Sequence, residues 1–248
     1  MPSTTLNLAV IAATLESFEE TIIFKLIDRA QYHVNCTIYE PGKSGFEGDT
    51  TKSLFELRLW YQERMDAEFG RFLVPEERPF CADLPFSKRS IPLAETGLGI
   101  ADYTSINLSD DIKRSYQALL PCICRSGSDD HYGSSVEHDI YALQAIARRV
   151  HYGALYVAES KYQNDPQKYI ALAKNGDHSG ILAALTRTDV EEAILCRVRD
   201  KVAHAQNQVN QLIRHTINPE AIFTFYRETI IPLTKKGELT YLLLRCGK

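Results

Sequence analysis

Apolar residues recur at three- and four-residue steps along most of the chain, and the two-residue alternation of a half-buried strand is rare. The first such stretch is Leu8–Tyr32, where Leu8, Ile11, Leu15, Phe18, Ile22, Ile23, Leu26 and Ile27 share a face. Asn7 stands just before it and offers a side-chain oxygen to the free N–H groups of the first turn. Residues 33–52 lose the period and hold Pro41, Gly42, Gly45 and Gly48, which predicts a loop. The helical period returns over Ser53–Phe72, with Leu54, Leu57, Trp60, Tyr61 and Met65 on one side. Val74 to Asn107 carries Pro75, Pro79, Pro85 and Pro92 and predicts a long irregular connection. Helices follow over Ser109–Cys122 and, after a polar turn at Ser126–Gly133, over Ser134–Gln163, whose stripe is Val136, Ile140, Leu143, Ile146, Ala147 and Val150. Pro166–Asn175 and His178–Leu185 read as short helices split by Gly176-Asp177, Val190–Gln211 as a long charged one, and Asn218–Arg245 as one or two more. Hairpin signals are absent, so the expected fold is all-α, helices packed side by side.

Composition narrows the function classes. A length of 248 residues suffices for one large helical domain or two small ones with a sizeable core. The net charge of −4 argues against a general polyanion binder, and the Lys235-Lys236 and Arg148-Arg149 pairs are too few to track a phosphate backbone. A pocket for a small anion remains open to such a chain. Of Cys36, Cys81, Cys122, Cys124, Cys196 and Cys246, only Cys122 and Cys124 lie close together, so a structural metal is not expected and the thiols read as reduced. No run is long enough to span a bilayer, and the start lacks the basic flank and apolar core of a leader, which points to the cytoplasm.

Three stretches carry candidate chemistry. Ala147–Lys161 places Arg148, Arg149, Glu159 and Lys161 in or beside an apolar helix. Thr186–Arg197 contains Arg187 and Glu191, and Ile231–Leu243 sets Thr234 and Glu238 four apart on one helix face. Each alone reads as a solvated polar face. His151, beside the arginine pair, reads as a packed structural histidine.

Together, in this order and spacing, the stretches resemble the allosteric chorismate mutases of fungi and plants. The likeness runs through Leu6-Asn-Leu, Glu19–Arg29, Arg71-Phe72, Pro75–Phe80, Gly133-Ser134, Asp139, Leu143–Gly153 with its Arg-Arg-x-His-Tyr-Gly, Val157–Lys161, Val190–Glu192, Ile231–Thr234, Glu238 and Tyr241–Leu243. It covers essentially the whole chain and implies a single-domain helix bundle of the chorismate mutase II type over residues 1–248. The implied reaction is the [3,3] rearrangement of chorismate to prephenate, without metal or cofactor, in phenylalanine and tyrosine biosynthesis. Arg149 would fork onto a substrate carboxylate, Lys161 would donate to the other carboxylate or the ether oxygen, and Glu191 would orient the hydroxyl. Thr234 would help hold a carboxylate, and a protonated Glu238 would donate to the ether oxygen. The resemblance further implies a homodimer and an aromatic amino-acid effector region near 70–80 and 130–138, with Arg71, Gly133 and Ser134.

The sequence departs from the family pattern at named places. A first-helix arginine that reaches the substrate is Ala12 here, and Arg187 stands where fungal relatives have asparagine, as a candidate replacement cation. Arg149 to Lys161 is 161 − 149 = 12 steps, against eleven in relatives. Eleven steps make about three α-helical turns, and the twelfth rotates Lys161 by about 100° unless a π-bulge near Ala154–Tyr156 absorbs it. Gly70 and Glu137 replace an arginine and a threonine of the effector region. Two alternatives stay open: a relative recruited to another small anionic substrate, and a non-catalytic binding or regulatory protein.

Overall fold

In the computed structural model, which describes residues 5–90, 92–207, 210 and 212–247, the described residues form helices and connections without strands. Helix α1 spans Leu8–Arg29, and Asn7 caps it by accepting from the Ala9 and Val10 amides. A capping box of Ser53 and Glu56 opens α2 (Leu54–Glu68). The loop before α2 contains a short 3₁₀ turn, Cys36–Tyr39, and another, Arg71–Leu73, follows α2. Next come α3 (Ser109–Ile123) and α4 (Tyr132–Tyr152). The predicted single helix over Ser134–Gln163 is interrupted: Gly153–Val157 is a π-turn, after which α5 runs over Ala158–Asn164. Helices α6 (Pro166–Lys174) and α7 (His178–Leu185) start on the side chains of Asp165 and Asp177.

Helix α8 covers Thr188–Gln206, short of the Gln211 expected, and Gln208, Val209 and Gln211 lie outside the described residues. Asn218 caps α9 (Pro219–Phe225), and a second π-turn, Tyr226–Ile230, leads into α10 (Ile231–Cys246).

Apolar residues gather in two clusters. The larger joins α1, α2, α3, α4, α8 and α9 around Ile22, Leu26, Ile112, Tyr116, Ile140 and Leu143. The smaller packs Leu155, Ala158, Tyr169, Ile181, Tyr241 and Leu242 under the 98–106 connection. Between them, α4 runs through its π-turn into α5 and lies against α10. A fully buried ion pair, Arg29 Nε to Asp139 at 2.5 Å, fastens α1 to α4. Tyr39 and Tyr116 each donate to Asp139 at 2.6 Å, and Arg29 also donates to the carbonyls of His33 and Val34. Every charge on this pair thus has partners, which is what buried ions require. The outward turn of Tyr61 and Met65 corrects the expected apolar side of α2: they are half exposed, while Phe55, Leu57, Leu59, Gln62 and Glu63 face inward. Gln62 and Glu63 enter because polar partners await them; Glu63 accepts from the Phe80 and Cys81 amides.

Candidate active site

The site forms where the two π-turns bring α4–α5 against α10. A π-turn accommodates one extra residue without ending the helix. The one at Gly153–Val157 brackets the stretch that the twelve-residue spacing singled out, and beyond it Lys161 acts on Glu238 as Arg149 does. Small residues let the turn approach α10 closely. A Cβ at Gly153 would meet Thr234 Cγ2 at 2.7 Å, and one at Gly237 would meet Ala154 Cβ at 2.5 Å.

Four expected residues converge here. Arg149, 3 % exposed, donates from Nη1 to Thr234 Oγ1 at 2.8 Å. The Thr234 hydroxyl in turn donates to the Ile230 carbonyl at 2.7 Å, inside the second π-turn. Lys161 Nζ stands 3.3 Å from Glu238 Oε2 and donates to the Leu185 carbonyl, at the end of α7, at 2.7 Å. Glu238 is buried, and desolvation raises its carboxyl above the ordinary value although Lys161, Arg149 and Lys235 oppose the rise. Burial likewise weakens the hold of Arg149 on its proton, against the pull of Tyr226, Glu19 and Glu238. Arg149 Nε and the Tyr226 hydroxyl are buried and find no hydrogen-bond partner in the protein. A guanidinium with an idle buried N–H is a prepared site for an oxyanion.

Glu191 lies at the site's edge, bound to Lys235 Nζ at 2.6 Å, with both side chains about one quarter exposed. Arg187 stands apart: its guanidinium forks onto Asp189 at 2.8 and 3.1 Å and is 65 % exposed. Ala12 is exposed on α1, one turn before Leu15, whose side chain lies on the Gly153 side of the site. Lys235, in the sequence only one of a basic pair, is not foreseen there as the partner of Glu191. Equally unforeseen is the clamp of Arg197 on buried Glu19, at 2.7 and 2.9 Å, which braces α8 on α1 beside Arg149. His151 is a packing residue. Its Nε2 accepts from the Leu108 amide at 2.9 Å, its Nδ1 meets the Ala147 carbonyl at 2.8 Å, and burial pushes its pKa down to about 4.

The expected effector residues form a second polar group. Arg71 bonds Glu77 at 2.9 Å and Gln144 at 2.8 Å, and Gln144 also holds Asp66. Gly133 and Ser134 lie in the first turn of α4, about 15 Å along that helix from Gln144. Among the described residues no group of His, Cys, Asp and Glu could hold a metal ion, and no helix is long and apolar enough to cross a membrane.

Comparison with protein-family models finds no match. Individual proteins do match. The chain is 35 % identical to a chorismate mutase of Saccharomyces cerevisiae over 250 residues, covering 98 % of this chain and 97 % of the relative. The solved structure of Aro7p chorismate mutase from Candida albicans, in complex with L-Trp, superposes with a TM-score of 0.89 at 34 % identity, covering 99 % of this chain and 94 % of that one. The structure of AtCM1 with phenylalanine bound in its allosteric site gives a TM-score of 0.87 at 33 % identity, with 98 % of each chain covered. Sequence and fold agree: the chain belongs to the all-helical chorismate mutase family.

Proposed function

We propose that this site converts chorismate to prephenate, with the groups between α4, α5 and α10 in the following roles. The single observation carrying the reading is the buried junction of Lys161 with Glu238 at 3.3 Å beside Arg149 with Thr234 at 2.8 Å. The rearrangement is unimolecular: one carbon–oxygen bond breaks as one carbon–carbon bond forms, with no proton or electron leaving the molecule. Catalysis then consists of holding the compact conformer and stabilising charge on the ether oxygen. Arg149 and Thr234 take one carboxylate, using the idle Nε–H. Lys161 serves the second carboxylate or the ether oxygen. Glu238 donates to the ether oxygen, for which it must be protonated, and its burial favours that form. Glu191 orients the hydroxyl from the rim, and Arg187 supplies a further cation if it exchanges its exposed bond to Asp189 for the substrate.

Regulation follows the same lines. An aromatic amino acid would bind at Arg71, Gly133 and Ser134. Within one chain Arg71 meets α4 at Gln144, about three turns from Gly133 and Ser134, and a second copy would complete the site. The stripe Tyr61, Met65 and Phe69 on the outer face of α2, 49–68 % exposed and leading to Arg71, suits such a homodimer contact. We place the protein in the cytoplasm, in phenylalanine and tyrosine biosynthesis. Purified protein incubated with chorismate should form prephenate, and Arg149→Ala should abolish it. Turnover unchanged by Arg149→Ala would overturn the roles; binding of chorismate without turnover would favour the non-catalytic reading.

A further inference from the structure

Between Arg149 and Lys161 the chain has two helical registers. Eleven steps from Arg149 reach Ser160, and twelve reach Lys161. An unbroken α-helix would put Ser160 on the face of Arg149; the π-turn puts Lys161 there. The segment after the turn is short, Ala158–Asn164, so something beyond it must hold its register.

Two rungs join α5 to α10. One is Lys161 with Glu238. The other is Glu159, 1 % exposed, whose Oε2 accepts from the Tyr241 hydroxyl at 2.5 Å and from Arg245 Nε at 3.1 Å. Its Oε1 accepts from Gln163 Nε2 at 3.1 Å. Tyr241 is itself held, because its hydroxyl receives the Gly99 amide at 3.1 Å. On α10, Glu238, Tyr241 and Arg245 follow at three- and four-residue steps and so share a face. A slip of α5 by one residue would set an alanine or a serine against Tyr241 and leave a buried carboxylate and a guanidinium unpaired, which is costly. We infer that Glu159 is the positioning residue that locks the π-turned register, through Tyr241 and Arg245, and so keeps Lys161 on Glu238. Glu159 itself need not touch the substrate. The inference rests on the roles proposed above for Lys161 and Glu238.

Its test is the pH dependence of kcat for chorismate in wild type, Tyr241→Phe, Glu159→Gln and Glu238→Gln, each checked for folding by circular dichroism. The charged and titratable groups facing Glu238 are Lys161 from α5, Arg149 from α4, Tyr169 from α6 and Lys235 from its own helix. Activity should fall on the alkaline side as Glu238 ionises. Lys161 favours the ionised form, so losing it should move that limb upward, by about one pH unit. Removing the anion of Glu159 would by itself move the limb the other way. Tyr241→Phe and Glu159→Gln should therefore both lower kcat by at least about tenfold and both shift the limb upward. If Tyr241→Phe fails to fold, Glu159→Gln decides alone. A folded variant with lower kcat and an unmoved limb would make Glu159 a stability residue only and overturn the inference. A wild-type limb that Glu238→Gln leaves in place would overturn the role of Glu238, and the inference with it.

Discussion

Ala12→Arg should raise activity. Ala12 lies on the second turn of α1 and is exposed, so an arginine fits there without disturbing the core, and its helix propensity is close to that of alanine. One turn on, Leu15 lies on the Gly153 side of the site, beside Thr234 and Arg149. A guanidinium reaching from position 12 toward that side of the site would add a second cation to Arg149 for a substrate carboxylate. A hydrogen bond to a charged group is worth about 1.5–3 kcal/mol. At about 1.4 kcal/mol per decade, that is roughly a 10- to 150-fold gain in kcat/KM if it is realised in the transition state. The gain belongs at the lower end because the position is open to water. The assay is the loss of chorismate absorbance under initial-rate conditions, for wild type and variant at matched folded concentration. A folded variant with kcat/KM within twofold of wild type would refute the reasoning, for the first turns of α1 would then not face the bound substrate.

Other consequences follow from packing and burial. Gly237→Ala places a Cβ 2.5 Å from Ala154 Cβ and forces the π-turn off α10, so it should cost about 1–3 kcal/mol by denaturant unfolding and depress kcat as well. Glu238 is held above its ordinary value of 4.5 in the folded state, so folding stability is lost as pH rises from there through the raised value. Glu238→Gln should accordingly raise Tm relative to wild type at pH 8 and leave it unchanged at pH 4; equal differences at both would contradict a desolvated carboxyl. His151, with its pKa depressed to about 4, contributes stability that is present above its ordinary value of 6.5 and is lost as pH falls through about 4. Its ring resonances should show no titration between pH 5 and 8 by NMR.

Much of the fold is legible in the sequence because most helices bury one regular stripe. The cap at Asn7 and the boundaries of α6 and α7 follow from local chemistry. The first π-turn is legible for a different reason: the family resemblance sets Arg149 and Lys161 in one pocket, and their spacing here is one residue longer than in relatives. No such pair flanks Tyr226–Ile230, and that turn escapes notice. The outer side of α2 misleads because its aromatic and thioether residues look like core. The residues that do turn inward include Gln62, paired with Arg58 and Asp66 on its own helix, and Glu63, whose partners lie beyond the helix at Phe80 and Cys81. The bracing of Arg149 by Glu19 and Arg197 joins residues 178 positions apart and leaves no local signal.

The most direct test of the account is the pH–rate profile of purified protein on chorismate, wild type beside Glu238→Gln. Wild type should form prephenate, with kcat falling as pH rises through the elevated Glu238 value. Glu238→Gln, which keeps a neutral donor at that place, should retain activity and lose the fall. A wild type inactive at every pH, or a fall that persists in Glu238→Gln, would contradict the claim that a protonated Glu238 acts on the ether oxygen.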